Sequence, residues 1–110
     1  MKEVTIRQLQ AYLKEQYKDS RTEEGLFIKL VEEVGEVAEI LNCRSGRKEG
    51  VQDSNEELAK ELADIIHYTV AIATINDIDL TKTIFEKDKT AAVKYQHEKD
   101  LEQFLAEKII

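Results

Sequence analysis

Lys29-Leu30-Val31-Glu32-Glu33-Val34-Gly35-Glu36-Val37-Ala38-Glu39 is the stretch on which the reading of this chain turns. Its apolar residues recur at helical spacing, yet Glu32, Glu33, Glu36 and Glu39 crowd into it. Extended outward, the pattern predicts a helix over about residues 23–42, with Leu26, Phe27, Leu30, Val31, Val34, Val37, Ala38 and Leu41 on one broad face. At about 100° per residue, Glu33 falls roughly 20° outside Leu26, at the edge of the apolar arc. Ile40 lies further out on that side, Glu36 takes the next angular step, and Glu32 and Glu39 point toward solvent. A carboxylate bordered by apolar side chains must be protonated, paired or metal-bound to escape a desolvation cost. Gly35 inside a helix costs about 1 kcal/mol relative to alanine. Either a close approach requires it or it is simply tolerated.

A second acidic stretch answers the first: Glu56-Glu57-Leu58-Ala59-Lys60-Glu61-Leu62-Ala63-Asp64. Ser54 and Glu57 form a capping box that starts a helix over about 55–75. Its wide apolar face, from Leu58 and Leu62 through Ile65, Ile66, Thr69, Val70, Ile72 and Ala73, marks it as the most buried helix. Glu61 lies inside that arc, flanked by Ile65, Tyr68 and Ile72, and Asp64 lies at its margin. Glu56 and Glu57 suit the first turn, where the helix dipole favours acids. Two i, i+3 acidic pairs on facing antiparallel helices bring Glu33, Glu36, Glu61 and Asp64 toward one pocket. Clustered carboxylates repel unless neutralised, and a hard cation with oxygen ligands, chiefly Mg²⁺, does that. The competing reading is two solvated glutamate-rich faces.

Elsewhere, Thr5 and Gln8 cap a first amphipathic helix over 4–18, and Ser20 with Glu23 offers a capping box for the second. Residues 43–54 carry two glycines with Arg44, Arg47 and Lys48. They read as a loop, either gripping phosphates or merely solvated. Asp79 caps a fourth helix running to about Tyr95. The tail, with Leu101, Phe104, Leu105 and Ile109 at helical spacing, continues that helix or folds back as a fifth. His67 reads as polar surface or interface, and Tyr68 as core packing with an angular position near Glu61.

At 110 residues the chain reads as a single domain, 1–110, with a small core that oligomerisation would help. The absence of proline and the four glycines argue against an all-β fold. A net charge of −7 disfavours nucleic acid as a partner. Lone Cys43 fits a reducing compartment. No signal peptide or membrane-spanning run is visible, so the expected location is cytoplasmic, with no membrane partner.

Glu32-Glu33-x-x-Glu36 followed by Glu61-x-x-Asp64 resembles the paired motif of the MazG-type all-α nucleoside triphosphate pyrophosphohydrolases, over about residues 23–95. The resemblance implies an antiparallel four-helix bundle with a C-terminal helical extension, completed by dimerisation or as a tetramer. It implies Mg²⁺-dependent (or Mn²⁺-dependent) cleavage of a nucleoside triphosphate between its α and β phosphates, giving monophosphate and pyrophosphate in nucleotide-pool housekeeping. Carried over by position, Glu33, Glu36, Glu61 and Asp64 are metal ligands, with Glu33 catalytic and Glu32 orienting the attacking water. Lys87 and Lys94 match basic positions of the family's downstream segment, and Arg47 joins them as a candidate phosphate contact. Ala91 stands where that segment often has asparagine, and Gln96 where it has proline. Two rivals share the signature: a phosphoribosyl-ATP pyrophosphohydrolase-like enzyme and a non-catalytic helical interaction module.

Overall fold

The structure is a computed structural model that describes residues 2–18, 22–46 and 54–108. Five helices account for nearly all of them, with no strand among the described residues: α1 (Ile6–Gln16), α2 (Glu23–Arg44), α3 (Asn55–Ile75), α4 (Leu80–Lys94) and α5 (Leu101–Glu107). The chain is all-α, as its periodicity predicts. It divides after Ile78 into two compact units, one holding α1 to α3 and the other α4 and α5.

Helix starts follow the local chemistry. Thr5 and Gln8 make the full reciprocal box, at 2.8 and 3.0 Å. Thr22, rather than Ser20, caps α2, accepting from the Gly25 N–H at 3.2 Å; Ser20 lies outside the described residues. Ser54 Oγ accepts from the Glu57 N–H at 3.1 Å and caps α3. Asp79 caps α4, and an unforeseen box between Asp100 and Gln103 starts α5.

In the first unit α3 packs against both α1 and α2. This follows from its wide apolar arc: Val70, Ala71 and Ala73 are buried, and Thr74 with them. Leu13 of α1 is fully buried. Gln10 ties α1 to the end of α3, donating to Thr74 Oγ1 at 3.3 Å and to the Ile78 carbonyl at 2.8 Å. A bond from Arg44 Nη2 to Asn55 Oδ1 at 2.7 Å joins the end of α2 to the start of α3, so the two run antiparallel.

One expectation about α2 is corrected. Leu26 and Ile40 are its buried residues, and Ile40 does not lie outside the packed face. Leu26, Glu33 and Ile40 are seven residues apart, so they share one direction to within about 20° per step. That line faces α3, which puts Glu33 at the centre of the helix contact. Phe27, Val31, Val34 and Leu41, counted from sequence as core, are half exposed.

In the second unit, α4 ends where Gln96 takes a left-handed backbone, φ 56°. The N–H of Gln96 reaches the Val93 carbonyl and that of His97 the Ala92 carbonyl, closing a Schellman turn. The tail therefore does not continue α4. Asp88 Oδ2 accepts from the Leu101 N–H at 2.6 Å and Lys89 pairs with Glu102 at 3.4 Å, holding α5 back against α4. Proline cannot adopt this φ, so glutamine at 96 is tied to this form of helix end.

Candidate metal centre

The α2–α3 hairpin carries the site. Glu33 projects from the middle of α2 along the line of Leu26 and Ile40, and Glu61 meets it from α3. Asp64 stands one turn further along α3. Ligand oxygens of Glu33, Glu61 and Asp64 all lie within 4.8 Å of one another, with the two glutamates half-buried and the aspartate exposed. One oxygen of Glu61, Oε2, is shut off from solvent without a hydrogen-bond partner. A carboxylate oxygen in that state is costly unless a proton or a cation meets it.

Glu36 adjoins the group through Glu61. Its carboxyl is raised above the usual glutamate value, first by hydrogen bonding with Glu61, then by Glu61's charge and some desolvation. Glu61 is raised as well. Glu36 pulls it down, but hydrogen bonding from Glu33, burial, and the charges of Glu33 and Asp64 outweigh that. Glu36 and Glu61 thus bind protons more tightly than separated glutamates do. A divalent ion replaces those protons when the group is fully ionised.

The other sequence candidates fall as follows. Glu32 is half exposed, turned about 100° from Glu33, and pairs with Lys29 at 3.7 Å. Lys87 and Lys94 are exposed on α4 in the second unit, and the Lys94 ammonium lies 5.3 Å from the Tyr95 ring centroid. Arg47 lies outside the described residues. Gly35 borders open space, since a Cβ there would meet nothing within 4 Å. Sequence reading missed the partner of His67. Its Nε2 lies 2.7 Å from the Tyr17 hydroxyl, joining α1 to α3, and its ring stands edge-on to Tyr68. A cleft of about 660 Å³ opens between the ends of α1, α2 and α3, bounded by Lys14, Tyr17, Lys18, Thr22 and Asp77 among others. Its edge at Glu23 is ten residues, or about 15 Å, along α2 from Glu33.

An antiparallel helical hairpin with carboxylates converging across its seam, one of them carrying a buried unpaired oxygen, places the chain in a class of all-α proteins with an acidic cluster between two helices. Within that class the chain belongs to the MazG nucleotide pyrophosphohydrolase domain family, whose model matches residues 21–99. It is 33% identical over 75 residues to dCTP pyrophosphatase 1 of Rattus norvegicus and, equally, to that of Mus musculus. Those alignments cover 64% of this chain and 44% of each relative, so the chain spans less than half their length. Among solved structures it is similar to iMazG from Vibrio DAT 722, with a TM-score of 0.59 and 33% identity over 84% of this chain and 98% of that one.

Proposed function

We propose that this protein is a Mg²⁺-dependent nucleoside triphosphate pyrophosphohydrolase, cleaving between the α and β phosphates to release monophosphate and pyrophosphate. The observation that carries the proposal is the partnerless buried oxygen of Glu61, set among the carboxylates of Glu33 and Asp64. Glu33, Glu36, Glu61 and Asp64 would hold the ion, and Mn²⁺ would substitute in the same oxygen cage. Bound there, the ion would supply Lewis-acid polarisation of the phosphoryl group and neutralise the leaving pyrophosphate. The chain's own groups do the rest. Glu33 and Glu61 position the cage because the helix contact fixes both. Glu32 would accept a hydrogen bond from the attacking water and orient it. Lys87, Lys94 and Arg47 remain the proposed contacts to the outer phosphates. With a net charge of −7, an anionic substrate is held only through the cation and such basic groups.

The second half of the proposal is a homodimer or tetramer. Phe27, Val31, Val34 and Leu41 of α2 and Leu62 and Ile66 of α3 are all about half exposed and fall on one flank of the hairpin. A second copy would cover that flank. No helix among the described residues is long and apolar enough to cross a membrane. The cytoplasm is the proposed location.

The test is pyrophosphate release from a panel of ribo- and deoxyribonucleoside triphosphates that includes dCTP, with Mg²⁺ and with chelator. Metal-dependent release from one or a few substrates supports the reading. Absence of release from every substrate, together with no Mg²⁺ binding, leaves a helical interaction module instead.

A further inference from the structure

Building on the proposed reaction, we propose that Lys29 is a substrate-binding residue of this site, its ammonium contacting the phosphates of the nucleotide held at the carboxylates. Lys29, Glu33 and Glu36 stand at i, i+4 and i+7 on α2 and so form one stripe. Glu36 is turned about 60° from Glu33, and Asp64 is turned about 60° from Glu61 in the same sense. In an antiparallel hairpin, equal turns of the same sense open onto the same side of the seam. Lys29, turned about 40° in that sense, therefore opens onto the side where Asp64 and Glu36 are exposed, one turn from Glu33.

Its ion pair keeps it near. Lys29 Nζ lies 3.7 Å from Glu32 Oε1, on the residue three positions nearer the cluster, and both side chains are more than half exposed. So exposed a pair contributes little stability and is readily exchanged for a stronger acceptor. A phosphate oxygen carrying full charge is such an acceptor. Lys60 also borders the acids, but it pairs with Glu56 at 3.9 Å and Glu57 at 3.6 Å, which draw it toward the start of α3 and away from Asp64. Lys29 thus lies on the exposed side of the cluster with its ion-pair partner beside Glu33 in sequence, and Lys60 serves as its internal control.

The experiment compares the 110-residue parent with Lys29→Met, Lys29→Arg and Lys60→Met. Steady-state pyrophosphate release gives kcat and KM, and calorimetry follows titration with magnesium pyrophosphate and with Mg²⁺ alone. Lys29→Met is expected to raise KM about tenfold and to weaken magnesium pyrophosphate binding by a similar factor, as loss of one charge-assisted contact does. Its affinity for Mg²⁺ alone and its melting temperature stay close to the parent's. Lys29→Arg recovers most of the loss, and Lys60→Met stays within about twofold of the parent. Lys29→Met with unchanged KM and unchanged pyrophosphate affinity would overturn the proposal. Equal losses in Lys29→Met and Lys60→Met would also overturn it, since they would report only the general field. If the parent shows no chelator-sensitive hydrolysis, the proposed reaction fails, and the pyrophosphate titration still decides Lys29. A parent that binds no magnesium pyrophosphate, or binds it equally well after Lys29→Met, then overturns the assignment.

Discussion

Glu61 concentrates the chemistry of this chain in one side chain. It sits inside the apolar arc of α3, where its proton affinity is lowered by Glu36 but raised on balance by Glu33, by burial and by the charge of Asp64. Glu36 is raised as well, chiefly by hydrogen bonding with Glu61, so over the pH range of these shifts the folded state holds protons that the unfolded chain gives up. Groups raised in this way stabilise the fold below the ordinary carboxylate range, and that contribution is lost as pH rises through their folded values. Without a divalent ion, the protein should therefore lose stability as pH climbs from the acid range toward neutrality. Glu61→Gln removes the central charge, so in chelator it should melt higher than the parent at pH 7. That gap should shrink toward pH 4.5 and below. A melting-temperature difference that is constant with pH would show that Glu61 carries no burden in the apo fold.

At the scale of the elements, the sequence announces helix positions well and helix faces less well. Capping residues and apolar periodicity place α3 over the same residues as the structure and place the start of α4, while the start of α2 follows from periodicity alone, its cap being Thr22. Glu33 and Glu61 are legible because a carboxylate among apolar neighbours contradicts the pattern around it. Which way α2 turns is less legible. Its apolar arc is wide enough to serve two partners, and the hydrophobic average points between them. The structure gives the Leu26–Glu33–Ile40 line to α3 and leaves Phe27, Val31, Val34 and Leu41 half exposed. The His67–Tyr17 bond was unreadable because it depends on how α1 docks, which periodicity does not encode. The end of α4 was unreadable for a different reason: a left-handed glutamine has no sequence signature. It yields a prediction. Glycine adopts φ near +60° without the Cβ penalty, so Gln96→Gly should stabilise the chain by about 1 kcal/mol. Gln96→Pro should destabilise it, because that φ is closed to proline and the N–H bonded to Val93 is lost. Thermal melts of the two variants moving in the same direction would contradict this account of the turn.

At the scale of the whole molecule, the α2–α3 hairpin has two flanks of opposite character. The side on which Glu36 and Asp64 are exposed is acidic and suits an ion with its anionic ligand. The other side exposes six large apolar side chains, a patch that a second copy would cover. Covering them by a second copy predicts a dimer or larger species in light scattering, and Val34→Glu should shift it toward monomer. A monomeric parent would show that the flank is covered in some other way. On the acidic side, Glu33, Glu61 and Asp64 together are proposed to bind a divalent cation. The most direct measurement is a titration of Mn²⁺ into the metal-free protein, followed by the loss of the free-ion electron paramagnetic resonance signal, for the parent and Glu61→Gln. Saturable binding by the parent, competed by Mg²⁺ and weakened at least tenfold in the folded variant, is the predicted result. Equal binding by the two proteins, or none by the parent, would contradict it.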